Sequence, residues 1–271
     1  MLANVKAKVK RLILSSQSKP IVYTADPNHE FAGKVALISG GSGGIGVDIA
    51  KALIEGGCTV VIAGTNENKL HDLRTDMNCD SIVMDYSRPD SFDDVLRTVV
   101  TNHGKLDIFV SSAGVHTENV DFWTMTPNEY DRVMNINLKG TFFACQAVGK
   151  YMRDANVQGS ILLISSSRGS EPAWSPYGLS KWGINGMVLG LGKMLMPYGI
   201  NVNAIAPGST ATPLIGVKEG DSIYTDENGM HRLVMPQEVA SLAKLLVSDA
   251  GKMIDGEVIH IAAGRGTFDI R

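Results

Sequence analysis

From residue 34 the chain alternates short apolar runs with amphipathic stretches. The runs 34–39 (KVALIS), 59–64 (TVVIAG), 81–85 (SIVMD), 106–114 (LDIFVSSAG), 159–167 (GSILLISSS), 200–208 (INVNAIAPG) and 258–264 (VIHIAAG) read as strands. Most are apolar through their centres and rich in β-branched residues, as strands covered on both faces are. Between them lie helical patterns: VDIAKALIEGG, a polar helix from Asn66, a helix near 89–103, and long helices at about 127–152 and 176–197. Thr126 and Glu129 with Pro127 predict a capping box at the start of the first long helix. Ser175 and Pro176 predict the cap and first position of the second. This is the pattern of one α/β domain, a Rossmann-type doubly wound parallel sheet in a three-layer αβα sandwich. It spans 33–271 behind a basic extension, 1–32.

Charge and cysteines narrow the function. Lys6, Lys8, Lys10, Arg11 and Lys19 are the charged residues of the first twenty, leaving the remainder at 20 basic against 28 acidic. A mildly acidic body gives no electrostatic case for nucleic-acid binding. Leu2, Val5, Val9, Leu12 and Ile13 fall near helical spacing, but no run in the extension is long enough for a membrane span. We read it as a loosely packed extension rather than a membrane-surface helix. Cys58, Cys79 and Cys145 show neither disulfide nor zinc spacing, which suits a reducing cytoplasm; no metal site is expected.

The turn after the first strand, SGGSGGIG, opens a helix, the context in which glycines let a backbone approach a pyrophosphate at helix N–H groups. A phosphate-binding P-loop would end Gly-Lys-Ser/Thr, and this turn ends Gly46-Val47-Asp48. Gly40 to Gly44 also spell the nucleophile elbow G-x-S-x-G, with Ser42, Asp249 and His260 in hydrolase order. That elbow would come too early in the chain, and His260 sits inside a strand pattern, so the hydrolase is rejected. The second strand ends Gly64-Thr65-Asn66 without the carboxylate that holds an NAD ribose. Thr65 and Asn66, with Lys69 a turn away, could donate to a 2′-phosphate, so NADP is expected over NAD.

Three separated features coincide: the glycine turn, the serine run ending a strand, and Tyr177-x-x-x-Lys181. Alone, a tyrosine and lysine four apart form a solvated helix face. Together these features resemble the classical short-chain dehydrogenase/reductase family, from about Gly33 to Gly264. The resemblance implies catalytic roles for Asn137 (in NINLKG), Ser166 (in ISSSRG), Tyr177 and Lys181. It implies a dinucleotide held by Gly40, Ser42, Gly43, Gly44, Ile45, Gly46, Thr65, Asn66, Asp85, Tyr86, Ser112, Ala113, Gly114, Tyr177, Lys181, Pro207, Gly208, Thr210 and Thr212. It also implies a homo-oligomer, usually a tetramer, built on the two long helices and the last strand.

Three departures qualify the match. Ser39 replaces a threonine, SSAG (111–114) stands where NNAG is usual, and the short spacing from Ser166 to Tyr177 keeps Ser165 and Ser167 as alternative serines.

The expected chemistry is hydride transfer between a nicotinamide and a carbonyl or secondary alcohol, with Tyr177 as proton donor. Working near neutral pH would require lowering a tyrosine pKa by about 2–3 units, roughly 3–4 kcal/mol. An ammonium about 4 Å away supplies on the order of 4 kcal/mol, so Lys181 is the right size of perturbation, with burial pushing the other way. Ser166 would hydrogen-bond the reacting oxygen. In the family the asparagine helps hold a water leading to the lysine, the role expected of Asn137. His116, Trp174 and Leu214, beside Ser166 and Tyr177, are expected to line a substrate pocket beneath a lid at 209–235. The stretch from Lys19 to Gly41 resembles reductases among bacterial surface-polysaccharide genes, implying a sugar or polyol; a 3-oxoacyl thioester is the generic alternative. A dinucleotide-binding sensor or scaffold that no longer turns over is the competing class.

Overall fold

The computed structural model describes residues 29–218 and 220–265, together with 5, 6 and 8–10. Those five N-terminal residues are helical and exposed; Leu2, Leu12 and Ile13 lie outside the described residues. The packed body already includes Phe31, which is buried and bonds through its N–H to the Gly56 carbonyl at 2.8 Å.

The order of elements is β1 (Val35–Ser39), α1 (Gly44–Glu55), β2 (Thr59–Gly64), α2 (Glu67–Met77), β3 (Asp80–Val83), α3 (Phe92–His103), β4 (Ile108–Ser111) and α4 (Pro127–Met134). Then follow α5 (Thr141–Asp154), β5 (Ser160–Ile164), α6 (Pro176–Leu195), β6 (Asn201–Pro207), α7 (Pro236–Val247) and β7 (Val258–Ile261). These strands form one parallel sheet in the order β3-β2-β1-β4-β5-β6-β7. The order reverses between β1 and β4, the switch point where ligands bind in doubly wound sheets.

Successive strand residues point to opposite faces, and here both faces are covered. Val35 and Leu37 of β1 join the core beneath α3, α5 and α6, with Val99, Val148, Met152 and Val188. Ala36 and Ile38 join the core beneath α1 and α7, with Ile49, Leu53 and Val239. That is why the central strands β1, β2, β4 and β5 read as largely apolar runs.

The strands end earlier than the apolar runs. Beyond Ser111, Val83 and Ile164 each segment keeps one more backbone bond to its neighbour, from Ser112, Met84 and Ser165, and then departs to wall the cleft. Helix α2 starts after Asn66, whose Oδ1 accepts the Lys69 N–H at 3.0 Å. Ser175 caps α6 through Gly178 N–H, with Pro176 first, as expected.

The first long helix departs from expectation. It is broken by a π-helical turn, Asn135–Gly140, between α4 and α5. A Cβ on Gly140 would lie 2.6 Å from the Tyr86 carbonyl, so the helix passes the β3 loop at glycine. The turn leaves the Asn137 carbonyl to the Thr141 hydroxyl, at 2.7 Å. Thr126 caps α4 through the Glu129 N–H, but Glu129 does not complete the capping box. Its carboxylate instead accepts the Glu118 N–H at 2.8 Å and pairs with Arg132 at 2.7 Å. Arg132 also donates to the His116 carbonyl at 2.7 Å, so this pair pins the loop that carries His116.

Candidate active site

The glycine turn wraps the C-terminal end of β1. Gly40 has φ +64°, and a Cβ there would lie 2.6 Å from the Ser112 and Ala113 backbone. A Cβ on Gly46 would lie 2.2 Å from the Gly40 carbonyl oxygen. Only glycine lets this turn close against the β4 loop. Helix α1 then begins without a side-chain cap and without an acid in its first turn. Uncapped N–H groups and the positive helix end suit a diphosphate.

A cavity of about 350 Å³ opens there, lined by Gly40, Gly43, Gly44 and Gly46 and by Ser42 and Ile45. Across it stand Thr65, Asp85, Tyr86, Ser112, Ala113, Gly114 and Thr212, and at its far end Tyr177 and Lys181. The residues present fit a dinucleotide. Thr212 roofs the turn, its methyl 2.7 Å from where a Gly44 Cβ would be. Two smaller cavities adjoin at Tyr177. One of about 160 Å³ is lined by Ser166, His116, Pro207, Gly208, Thr210, Thr212 and Leu214. The other, about 280 Å³, is lined by His116 and Trp174. A larger hollow of about 810 Å³ between the start of α3 and the outer face of α5 is bordered by none of the expected site residues.

Of the expected cofactor residues, Pro207, Gly208 and Thr210 border the adjoining 160 Å³ cavity rather than this one, and Asn66 borders none of the three; its side-chain oxygen is committed to capping α2. Ser112 reaches the cavity, whereas Ser111 turns into the core. There the Tyr86 hydroxyl sits 2.8 Å from Ser111 Oγ and 2.6 Å from Ser39 Oγ. Burial holds the Tyr86 hydroxyl far above its ordinary pKa, so it stays protonated. Two departures from the family pattern, Ser39 and Ser111, thus meet on one tyrosine. Tyr86→Phe strips both serines of this partner and is expected to cost about 1–3 kcal/mol. Urea denaturation measures it; an unchanged midpoint would mean the serines find other partners.

Asn137 is buried among backbone groups. Its Oδ1 accepts the Val115 N–H at 2.8 Å, and its Nδ2 donates to the Val115 carbonyl at 2.9 Å and Ser180 Oγ at 3.2 Å. It ties the β4 loop to α6, beside Gly114 and Lys181 Nζ. Lys181 is buried and donates to the Ile164 carbonyl at 2.8 Å. Desolvation lowers its pKa to about 8.

Of the three serines, Ser165 is spent on Asn185 Oδ1 at 2.5 Å, and Ser167 on the Glu171 carboxylate. Ser166 bonds the Tyr177 hydroxyl. His116 stacks on the Tyr177 ring, centroids 4.1 Å apart, and burial together with the Lys181 and Arg168 charges lowers its pKa, keeping it neutral.

One expectation fails. The Tyr177 pKa is raised, not lowered: burial outweighs the Ser166 hydrogen bond and the charges of Arg168 and Arg265. Lys181 Nζ lies 5.7 Å from the Tyr177 ring centroid and is turned to the Ile164 carbonyl, so it does not set this pKa as the pairwise Coulomb figure implied. The sequence reading also missed Arg168 and Arg265 as lining residues; nothing in their spacing marks them, because the fold brings them to Tyr177 from separate loops.

The hydrolase grouping does not form. Ser42 lies at the end of β1 against Gly64, while His260 is on β7 with Nε2 2.9 Å from Ser170 Oγ. Among the described residues no His, Cys, Asp and Glu cluster could hold a metal, the three cysteines are unpaired, and no helix is long and apolar enough to cross a membrane.

A family model described as enoyl-(acyl carrier protein) reductase matches residues 40–265. The 3-oxoacyl-[acyl-carrier-protein] reductase of Rickettsia conorii is 33% identical over 240 residues, covering 87% of this chain and 98% of that protein. Versicolorin reductase of Emericella nidulans is 30% identical over 269 residues, covering 89% and 98%. The solved structure of a short-chain dehydrogenase from Bacillus anthracis superposes with TM-score 0.80 at 26% identity, covering 88% of this chain and 99% of that one. The matched span runs from the glycine turn to Arg265, and with it the chain belongs to the short-chain dehydrogenase/reductase family of NAD(P)-dependent oxidoreductases.

Proposed function

We propose that this enzyme is an NADPH-dependent carbonyl reductase in which Tyr177 is the proton donor. The observation that carries the reading is the place of Tyr177, where the dinucleotide cavity meets both smaller cavities, bonded to Ser166. A bound reduced nicotinamide supplies a hydride to the carbonyl carbon. The C=O π pair then becomes the alkoxide lone pair, and Tyr177 gives that oxygen its proton. Ser166 holds the same oxygen and stabilises its growing charge. Lys181 replenishes the tyrosinate, with Asn137 fixing the β4 loop beside it. Burial raises the Tyr177 pKa, so the hydroxyl holds its proton at neutral pH, the form that reduction consumes.

NADPH is favoured because the residue after β2, Thr65, stands on the cavity wall with no carboxylate at that position; the next acid along the chain, Glu67, opens α2. The Thr65 hydroxyl is the donor we assign to the 2′-phosphate, with Lys69 nearby. Apolar side chains exposed on α5 and α6, Phe142, Phe143, Trp182, Leu189 and Met194 among them, support a homo-oligomer, a tetramer or dimer, through those helices. Unpaired cysteines suit the cytoplasm. A 3-oxoacyl thioester, the class named for the Rickettsia relative, and a sugar or polyol both remain within the reading.

Fluorescence titration with NADPH and NADH side by side is the first test. NADPH is expected to bind about tenfold tighter or more, and Thr65→Val to erase most of that preference. Tighter NADH binding would overturn the cofactor assignment. Binding of either cofactor without turnover of any carbonyl compound would favour a sensor.

A further inference from the structure

Two arginines flank the reacting hydroxyl, and the reduction chemistry proposed above has no use for them. Arg168 follows the Ser165–Ser167 turn and lines both small cavities; Arg265, beyond β7, lines the smaller one. Every other residue lining these two cavities is uncharged, so what a ligand meets there is guanidinium. The arrangement is braced. Glu171 bridges the pair, 2.9 Å from Arg168 Nη1 and 3.0 Å from Arg265 Nε. Ser209 Oγ accepts from Arg265 Nη1 at 2.8 Å, and Glu227 pairs with the same nitrogen. Neither carboxylate lines either cavity. Arg265 Nη2 has no acceptor among the described residues. The Arg265 side chain is only 13% exposed, and its charge is shared with Glu171 and Glu227. Both charges are felt at the Tyr177 oxygen, and Arg168 also acts on His116.

We infer that the substrate is a small carbonyl compound bearing an oxyanion, a carboxylate or a phosphate, which Arg265 and Arg168 bind while its carbonyl lies at Tyr177 and Ser166. This deepens the carbonyl-reductase reading and rests on it. A planar guanidinium already held on one edge can offer its free edge to an oxyanion with little ordering cost. Arg265, the more buried, carries the larger share; Arg168, half exposed, the smaller.

The test is steady-state NADPH oxidation with matched pairs: acetoacetate against methyl acetoacetate, and dihydroxyacetone phosphate against dihydroxyacetone. Each is run on the wild type, Arg265→Met and Arg168→Met. At least one anionic member is expected to exceed its neutral partner about tenfold in kcat/KM, the loss in the variants falling on KM. Which pair shows it separates carboxylate from phosphate. The preference, read as the anion-to-neutral ratio within each protein, should shrink in both variants. Neutral members used as well as the anions, or a preference unchanged in both variants, would overturn the inference. Arg168→Met keeps the test open if Arg265→Met does not fold. Should nothing be turned over, tryptophan fluorescence with the same compounds decides, since Trp174 lines the cavity beside Arg168. Anion-selective, Arg168-dependent quenching would uphold the anion site and sink the reductase reading; its absence would sink the anion site as well.

Discussion

Tyr177→Phe is expected to lower kcat for carbonyl reduction by about 10²–10⁴-fold while leaving the NADPH dissociation constant within about twofold. The hydroxyl is the atom shared between Ser166 and the reacting oxygen, whereas most of the dinucleotide cavity is built from backbone and loops the substitution does not touch. Phenylalanine keeps the ring that His116 stacks on, so the pocket keeps its shape. The pH profile adds a second check. Because burial raises the Tyr177 pKa, the proton needed for reduction is retained as pH rises, and the tyrosinate needed for alcohol oxidation is scarce until higher pH. The oxidative rate should therefore climb with pH over a range in which the reductive rate is still level. Wild-type turnover by the phenylalanine variant would remove Tyr177 from the chemistry. Reductive and oxidative profiles rising together would show that burial is not what governs it.

Local chemistry made much of this legible in advance. Gly40 and Gly46 read as a close-approach turn because no other residue fits, and Ser175-Pro176 read as a helix start because both satisfy its first turn. What escaped the sequence was competition between partners distant along the chain. Glu129 had the right spacing for a capping box, yet Arg132 and the Glu118 N–H offered its carboxylate more. The π-helical turn at Asn135–Gly140 answers to contacts with Val115 and Tyr86 that no helical period encodes. Asn66 could have faced a phosphate, but the open N-terminus of α2 claimed it first. Arg265 acts with Glu171, 94 residues earlier, and only the sheet order brings them together. The failed Tyr177 expectation has the same root: the sequence names burial as the opposing effect but not its depth, and burial decides the sign at both Tyr177 and Lys181.

Lys181→Met, in turn, is expected to abolish turnover and yet to stabilise the cofactor-free protein at neutral pH. The folded-state pKa of about 8 lies below the unfolded value of 10.5. Below pH 8 both states hold the proton, and the fold carries the whole cost of burying the ammonium, about 3 kcal/mol. Between 8 and 10.5 the unfolded chain binds more protons than the folded one, so stability rises with pH through that window. Methionine, of similar reach, removes the cost and forfeits the bond to the Ile164 carbonyl, worth about 1 kcal/mol. The variant should thus gain about 2 kcal/mol near pH 7, and the gain should disappear, and reverse slightly, above pH 10.5. Urea denaturation at neutral and alkaline pH reads both limbs. A variant less stable at neutral pH would mean that Lys181 has compensating partners, and that the enzyme does not trade stability for a lysine poised to pass a proton to Tyr177.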